Sequence, residues 1–227
     1  MEQKNYENDD WYQSKYSEVN ATAIKDSAAN KILHKLIEKP FKSNANLNLL
    51  EVGSNAGEHL EFVFPDFASY LMTDIRPIPR DTYQDGQNSR IKFEIADVQA
   101  LQYPDATFDR VISTCLFHHL SDPLAGFSEI RRVTKIGGIA SILIPNDPGI
   151  LYRILRNTTT NRNARKRGIE AEAKLNHALE HRNHYLQLIE LLQHVFKFDR
   201  VVQDNFPFRI KGYDLNALTT FHIKRKS

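Results

Sequence analysis

Hydrophobic positions along the chain fall into short solid runs, separated by stretches in which they recur every three or four residues. The runs at 47–52, 69–73, 91–95, 108–114, 138–144, 199–204 and 215–223 read as strands. Helical spacing is found at 22–38, where Ile24, Ala28, Ile32, Leu36 and Ile37 recur until Pro40 stops the pattern. It returns at 122–133, where Leu124, Phe127, Ile130 and Val133 share one face, and Gly137 and Gly138 turn the chain into the next strand. A third periodic stretch, LNHALEHRNHYLQLIELLQHVF, reads as one long helix with Leu188, Ile189, Leu192, Val195 and Phe196 inward. Such alternation predicts an α/β fold, a doubly wound, seven-stranded, mainly parallel sheet with helices on both faces. The last two runs have no helix between them, so they are expected to pair antiparallel at one edge.

One segment breaks the rhythm. Between Asn146 and about Asn176 some thirty residues stand where a short connection would serve, which predicts an inserted cap. The first forty residues are expected to form a helical lid segment, with Trp11, Tyr12 and Tyr16 closing over the site, and 41–227 the main domain.

Composition adds little to this outline. With 227 residues and 41% hydrophobic content the chain has the core of one ordinary domain. A net charge of +2, from 30 basic and 28 acidic residues, does not point to nucleic acid. Cys115 is the single cysteine, the N-terminus has no apolar leader, and the apolar run Ile139 to Pro145 is too short for a bilayer, so a cytoplasmic location without membrane contact is expected.

The candidate chemistry lies at strand ends, where ligands of open parallel sheets bind. NLLEVGSNAGEHL carries Glu51 inside a strand and then turns through Gly53, Ser54, Asn55, Ala56 and Gly57 into an expected helix. Glycine permits close approach of a ligand to the backbone, and asparagine is the side chain that best tolerates a left-handed conformation. Asp74 ends the next strand, where an acid suits both hydroxyls of a ribose, and Asp97 follows the one after, within reach of an adenine amino group. Cys115, Phe117, His118 and His119 come just after the central run 108–114. The loop does not have the Gly-x-Gly-x-x-Gly of a dinucleotide site, nor the Lys-Ser or Lys-Thr of a phosphate loop. Glu51, Glu58 and Asp74 would repel a phosphate but welcome a cationic ligand.

In order, these motifs resemble the class I S-adenosylmethionine-dependent methyltransferases, of small-molecule type, from about residue 47 to residue 147: Glu51-Val-Gly53-x-Asn55-x-Gly57, Thr-Asp74, Ala-Asp97-Val, Phe108-Asp109-x-Val-Ile, His118-His119-Leu and RRVTKIGGIASILIP. Asn55 stands where the family usually has a middle glycine, and Glu51 where it has Asp. The resemblance implies S-adenosylmethionine as cofactor, with Glu51, Gly53, Ser54, Asn55 and Gly57 at its amino-acid end. Asp74 and Ile75 would then meet the ribose, Asp97 and Val98 the adenine, with Cys115 nearby. His118 and His119 resemble the paired histidines of some sugar O-methyltransferases of antibiotic biosynthesis, one of which is the base; an imidazole has the pKa for that work.

The acceptor is expected to be small and anionic, a nucleotide-linked sugar, phosphorylated metabolite or carboxylate. Arg153, Arg156, Arg162, Arg165, Lys166 and Arg167 occur with no acid between Pro148 and Ile169, and guanidinium forks suit phosphate or carboxylate. Arg153, Arg156, Arg182 and Tyr185 are the expected substrate contacts. His177, His181 and His184 would share a helix face, which makes His181 and His184 reserve candidates for the base. No metal is expected there, because no HExxH accompanies them. The rival readings are an RNA or protein methyltransferase and a binding protein that keeps the fold without turnover.

Overall fold

The computed structural model describes residues 28–77 and 89–226. The proposed lid aromatics Trp11, Tyr12 and Tyr16, and the start of the 22–38 helix, lie outside the described residues. Seven strands form one sheet: β1 (Asn48–Val52), β2 (Ser69–Asp74), β3 (Ile91–Ile95), β4 (Phe108–Thr114), β5 (Thr134–Pro145), β6 (Arg200–Phe206) and β7 (Leu218–Lys224). Their spatial order is β3-β2-β1-β4-β5-β7-β6. β1 to β5 pair in parallel, and β7 is antiparallel to both β5 and β6. The chain order reverses between β1 and β4, which opens the crevice in which ligands of such sheets sit.

The helices are α1 (Ala28–Glu38), α2 (Pro123–Val133), α3 (Ile150–Thr158), α4 (Thr160–Lys166), α5 (Glu170–Glu180) and α6 (Tyr185–Val195). α2 and α6 cover one sheet face. There Leu50, Val52, Val111 and Ile142 pack against Phe127, Ile130, Leu188 and Leu192, and Phe117 stacks on Phe127 at 3.8 Å between ring centroids. Full burial of each such side chain stabilises the fold by about 1.5–3 kcal/mol. α2 starts cleanly because Asp122 accepts from Ala125 N at 3.0 Å and Pro123 occupies the first turn.

α1 covers the other face, where Ile37 meets Leu49, Tyr70, Met72 and Ile112. Beside this apolar patch runs a buried polar chain. Arg110 donates to both carboxylate oxygens of Glu38, at 2.6 and 2.9 Å, and its guanidinium lies 3.5 Å from the Phe41 ring centre. His59 Nε2 is 3.0 Å from Glu38 Oε1, and His59 Nδ1 is 3.0 Å from His34 Nδ1. His59 follows Gly57 by two residues, so this network ties the far end of the glycine loop to α1.

Four local expectations change. The helix foreseen after the glycine loop is only the 3-10 turn Leu60–Phe62, because the chain becomes extended at Val63 on its way to Pro65. β5 begins at Thr134 rather than 138; Gly137 takes φ +81° inside it and the pairing register with β4 shifts between Phe108 and Arg110, the mark of a bulge. The cap comprises α3, α4 and α5 and so runs beyond 176. The long helix expected over 175–196 is broken between Glu180 and Tyr185. At the break, Arg182 N and Asn183 N both donate to His118 O, at 2.9 and 3.2 Å, while Asn183 Nδ2 donates to Phe117 O and Leu120 O. Tertiary hydrogen bonds here replace the helix ladder that periodicity favours. Among the described residues no helix is long and apolar enough to cross a membrane.

Candidate functional site

The carboxyl ends of β2, β1, β4 and β5 stand side by side, and each delivers one group of the site residues. After β1 the backbone turns left-handed three times, at Gly53 (φ +67°), Asn55 (φ +47°) and Gly57 (φ +76°). A side chain at Gly53 would be strained in that conformation and would also strike Leu116, whose Cδ1 lies 2.7 Å from the ideal Cβ position. Asn55 is braced by its side-chain bond to Glu58 Oε1 and by its backbone N–H, which donates to Asp74 Oδ2; both contacts are 3.0 Å. Asp74 Oδ1 accepts from Arg76 N at 3.0 Å. Each carboxylate oxygen therefore has one backbone donor and retains lone-pair capacity toward the crevice. Ile75 beside it is exposed.

Whether S-adenosylmethionine suits these residues can be tested on their own chemistry. Ser54 Oγ is buried in the loop without a partner, an acceptor or donor awaiting one. No lysine or arginine occurs from Asn48 to Ile75, and Arg76, the next residue, has its Nε 3.8 Å from Asp74 Oδ1; an ammonium, a sulfonium and a ribose diol would meet acceptors in the loop. The residues fit.

Two members of the expected cofactor wall already have partners within the protein. Glu51 is 1% exposed, its Oε2 accepts from Tyr70 OH at 2.7 Å, and burial raises its pKa to about 8. Burial thus favours its neutral form and weakens the negative charge it would bring to the wall. Asp97 caps the 3-10 turn Val98–Ala100: its Oδ1 accepts from Gln99 N at 2.8 Å and from Gln99 Nε2 at 3.1 Å, and Oδ2 retains lone-pair capacity. Val98 is buried in the core and can offer a ligand only its backbone. Cys115, left-handed at φ +52°, donates N–H to Leu143 O, and burial pushes its thiol up to about 12, leaving it inert.

The opposite wall is made of imidazoles. His118 and His119 sit in the 3-10 turn Phe117–His119 after β4; His177 is in α5 and His181 caps its end. Ring centroids are 3.9 Å apart for His118 and His119, 4.3 Å for His118 and His181, and 3.8 Å for His177 and His181. Asp147, just past β5, holds His181 Nδ1 at 2.6 Å through Oδ2, and His177 Nε2 approaches the same oxygen at 3.0 Å. His119 Nδ1 is 3.1 Å from Glu180 O. Burial would raise the Asp147 carboxyl, but the two imidazoles outweigh it and hold it well below the usual range. Burial lowers His118 far below its ordinary value and His181 to about 4, so both are neutral. His184 does not join them. The helix break makes it the exposed N-cap of α6, which removes it from the shared face that spacing implied.

Among the cap's basic residues, Arg165 is tied to Glu170 at 2.8 and 2.9 Å and is not available to an acceptor. Arg153 and Arg182 are exposed, whereas Arg156 is half-buried and close enough to Tyr152 and Asp147 to feel their charge. Tyr185, expected at the substrate, is 7% exposed, packs in the main core and stacks on Tyr213 at 5.5 Å, so its ring serves packing. Asp147 is the member that sequence reasoning missed. Its signal was available only as an acid immediately after a predicted strand, the same signal that marks Asp74.

Residues 50–142 match the family model described as a methyltransferase domain. The chain is 26% identical over 124 residues to malonyl-[acyl-carrier protein] O-methyltransferase of Paenibacillus sp. (strain JDR-2), covering 51% of this chain and 45% of that relative. Its fold is similar to phosphoethanolamine N-methyltransferase 2 of Haemonchus contortus in complex with S-adenosyl-L-methionine, with TM-score 0.62, 13% identity and coverage of 96% of this chain and 58% of that one. It is equally similar to the [4+2]-cyclase SpnF, with TM-score 0.64, 14% identity and coverage of 94% and 92%. The matched family segment ends before Asp147, His177 and His181, so the imidazole wall combines a family element with the cap.

Proposed function

Because the chain belongs to the class I S-adenosylmethionine-dependent methyltransferases, we propose that it transfers the cofactor's methyl group to an oxygen of a small anionic acceptor. The observation that carries this reading is the meeting, across the crevice, of a cation-compatible glycine loop with a wall of closely packed imidazoles. The bound cofactor supplies an electrophilic methyl group on a sulfonium. Gly53 and Asn55 shape the backbone around its amino-acid end, Ser54 Oγ gains its missing hydrogen-bond partner, and Asp74 accepts from the ribose. Asp97 offers its Oδ2 to the adenine amino group while Oδ1 keeps the Gln99 backbone contact.

The acceptor's oxygen faces His119 and His181. In both rings Nδ1 faces an oxygen, so it carries the proton and Nε2 carries the lone pair that can take the acceptor's proton. Arg156, with Arg153 and Arg182 at the rim, holds the acceptor's negative charge. The cap excludes water, so that positioning contributes most of the rate. The SpnF likeness keeps a second reading in view, a methyltransferase fold used without methyl transfer. Calorimetry with S-adenosylhomocysteine, followed by an acceptor screen read as S-adenosylhomocysteine release, tests both. Binding with turnover on an anionic alcohol or acid is the expected result. Binding without turnover on any acceptor class, RNA and protein included, favours the second reading.

A further inference from the structure

A wall of imidazoles packed ring against ring has a cost if it is only structural, because each buried nitrogen requires a partner. Here the partners are distributed unevenly. His119 Nδ1 faces Glu180 O at 3.1 Å and His181 Nδ1 faces Asp147 Oδ2 at 2.6 Å, so both rings are held in the tautomer with the lone pair on Nε2. His118 is 4% exposed and its Nδ1 has no hydrogen-bond partner at all. One ligand atom from each of His118, His119 and His181 lies within 4.8 Å of the other two, and Asp147, His177 and His181 form a second such group.

We propose that His118, His119 and His181 bind one divalent transition-metal ion of the zinc class, with a fourth position left open for the acceptor's oxygen. Three protein nitrogens and one open position are the coordination of a catalytic rather than a structural ion. Imidazole ligands suit zinc, cobalt, nickel or copper and disfavour magnesium and calcium, which take oxygen. Two of the three rings already have the outer contact that metal-ligating histidines show, a carboxylate or carbonyl on the far nitrogen. The second group is the weaker candidate because the Asp147 oxygen it requires is engaged by His181 Nδ1. An ion here would lower the pKa of the bound acceptor hydroxyl, and so take over the role that the free Nε2 lone pairs have without it. The spacing of His177, His181 and His184 could not show this set, because two of its members come from the turn after β4.

The place given to the acceptor rests on the methyl-transfer reading, but ion uptake does not, and the test separates them. The full chain is dialysed against chelator and titrated with Zn²⁺ by calorimetry and with Co²⁺ by visible absorption, without cofactor or acceptor. One ion per chain and the intense visible bands of four-coordinate Co²⁺ are expected. His119→Ala and His181→Ala should each abolish uptake. Asp147→Asn should weaken it by about 10–100-fold, and His194→Ala, on the exposed side of α6, should bind as the wild type does. All variants are checked for an unchanged circular dichroism spectrum and for S-adenosylhomocysteine affinity. Absence of uptake, or uptake retained by both ligand variants, overturns the ion site. Methyl transfer undiminished after ion removal overturns the acceptor's place on it. Failure to bind S-adenosylhomocysteine would overturn the cofactor reading and leave the ion titration standing.

Discussion

Asp147 and His181 meet at 2.6 Å across 34 residues of sequence, joining the end of β5 to the end of α5. The contact closes the cap onto the sheet and sets which nitrogen of His181 faces the crevice. Asp147→Ala is expected to lower turnover by about 10–100-fold while leaving S-adenosylhomocysteine affinity unchanged, because Asp147 belongs to the imidazole wall and not to the cofactor loop. A melting temperature that falls while turnover stays normal would reduce the contact to a structural clasp.

Asp74 accepts from Asn55 N and Arg76 N and offers its remaining lone pairs to the crevice. Asp74→Ala should weaken S-adenosylhomocysteine binding by about 1.5–3 kcal/mol for each charge-assisted bond lost, tenfold or more in affinity. Isothermal calorimetry gives the answer directly; equal affinity in wild type and variant would remove the ribose from Asp74.

Gly53 is held at φ +67° beneath Leu116. Gly53→Ala combines a strained backbone, costing on the order of 1–3 kcal/mol, with a clash that Leu116 must move to relieve. The expected outcome is a lower melting temperature together with weaker cofactor binding. The double variant Gly53→Ala, Leu116→Ala should recover only the part due to the clash, and full recovery would show that the conformation itself carries no cost.

Glu51 shifts from an ordinary 4.5 to about 8 because it is buried. Its folded value is raised, so the stability linked to its proton is complete below about pH 4.5 and is lost as pH rises toward 8, the unfolded chain ionising first. The slope is at most about 1.4 kcal/mol per pH unit for this one proton. Glu51→Gln keeps an acceptor for Tyr70 and should flatten this loss. Melting temperatures of the two proteins between pH 5 and 8 should therefore diverge with rising pH, the variant ending the more stable; parallel curves would mean that Glu51 is ionised in the fold.

Arg156 is half-buried in the cap and close enough to Asp147 and Tyr152 to feel their charge. Arg156→Gln should raise the Michaelis constant for the acceptor with little change in turnover number, and added salt should imitate the substitution by screening the attraction. Arg165→Gln, which only releases Glu170, should leave the acceptor's Michaelis constant as it was. If both variants bind acceptor normally, the cap's charge faces solvent alone.

By itself the chain's pattern determined the mainly parallel sheet with its antiparallel edge, the left-handed loop at Gly53, Asn55 and Gly57, and the strand-end positions of Asp74, His118 and His119. Those features rest on local physics: period, glycine freedom and the direction in which parallel strands point. Only the tertiary structure decided the rest. Helical periodicity over 175–196 could not reveal that Arg182 N and Asn183 N would bond to His118 O instead, a break that brings His181 beside His118 and turns His184 away. Nor could residue type tell that Glu51 would be sealed behind its loop, that Asp97 would cap a turn through Gln99, or that Asp147 would face two imidazoles from the cap. Burial and pairing are properties of neighbours distant in sequence, and they determine which charged groups remain charged and which nitrogens stay open.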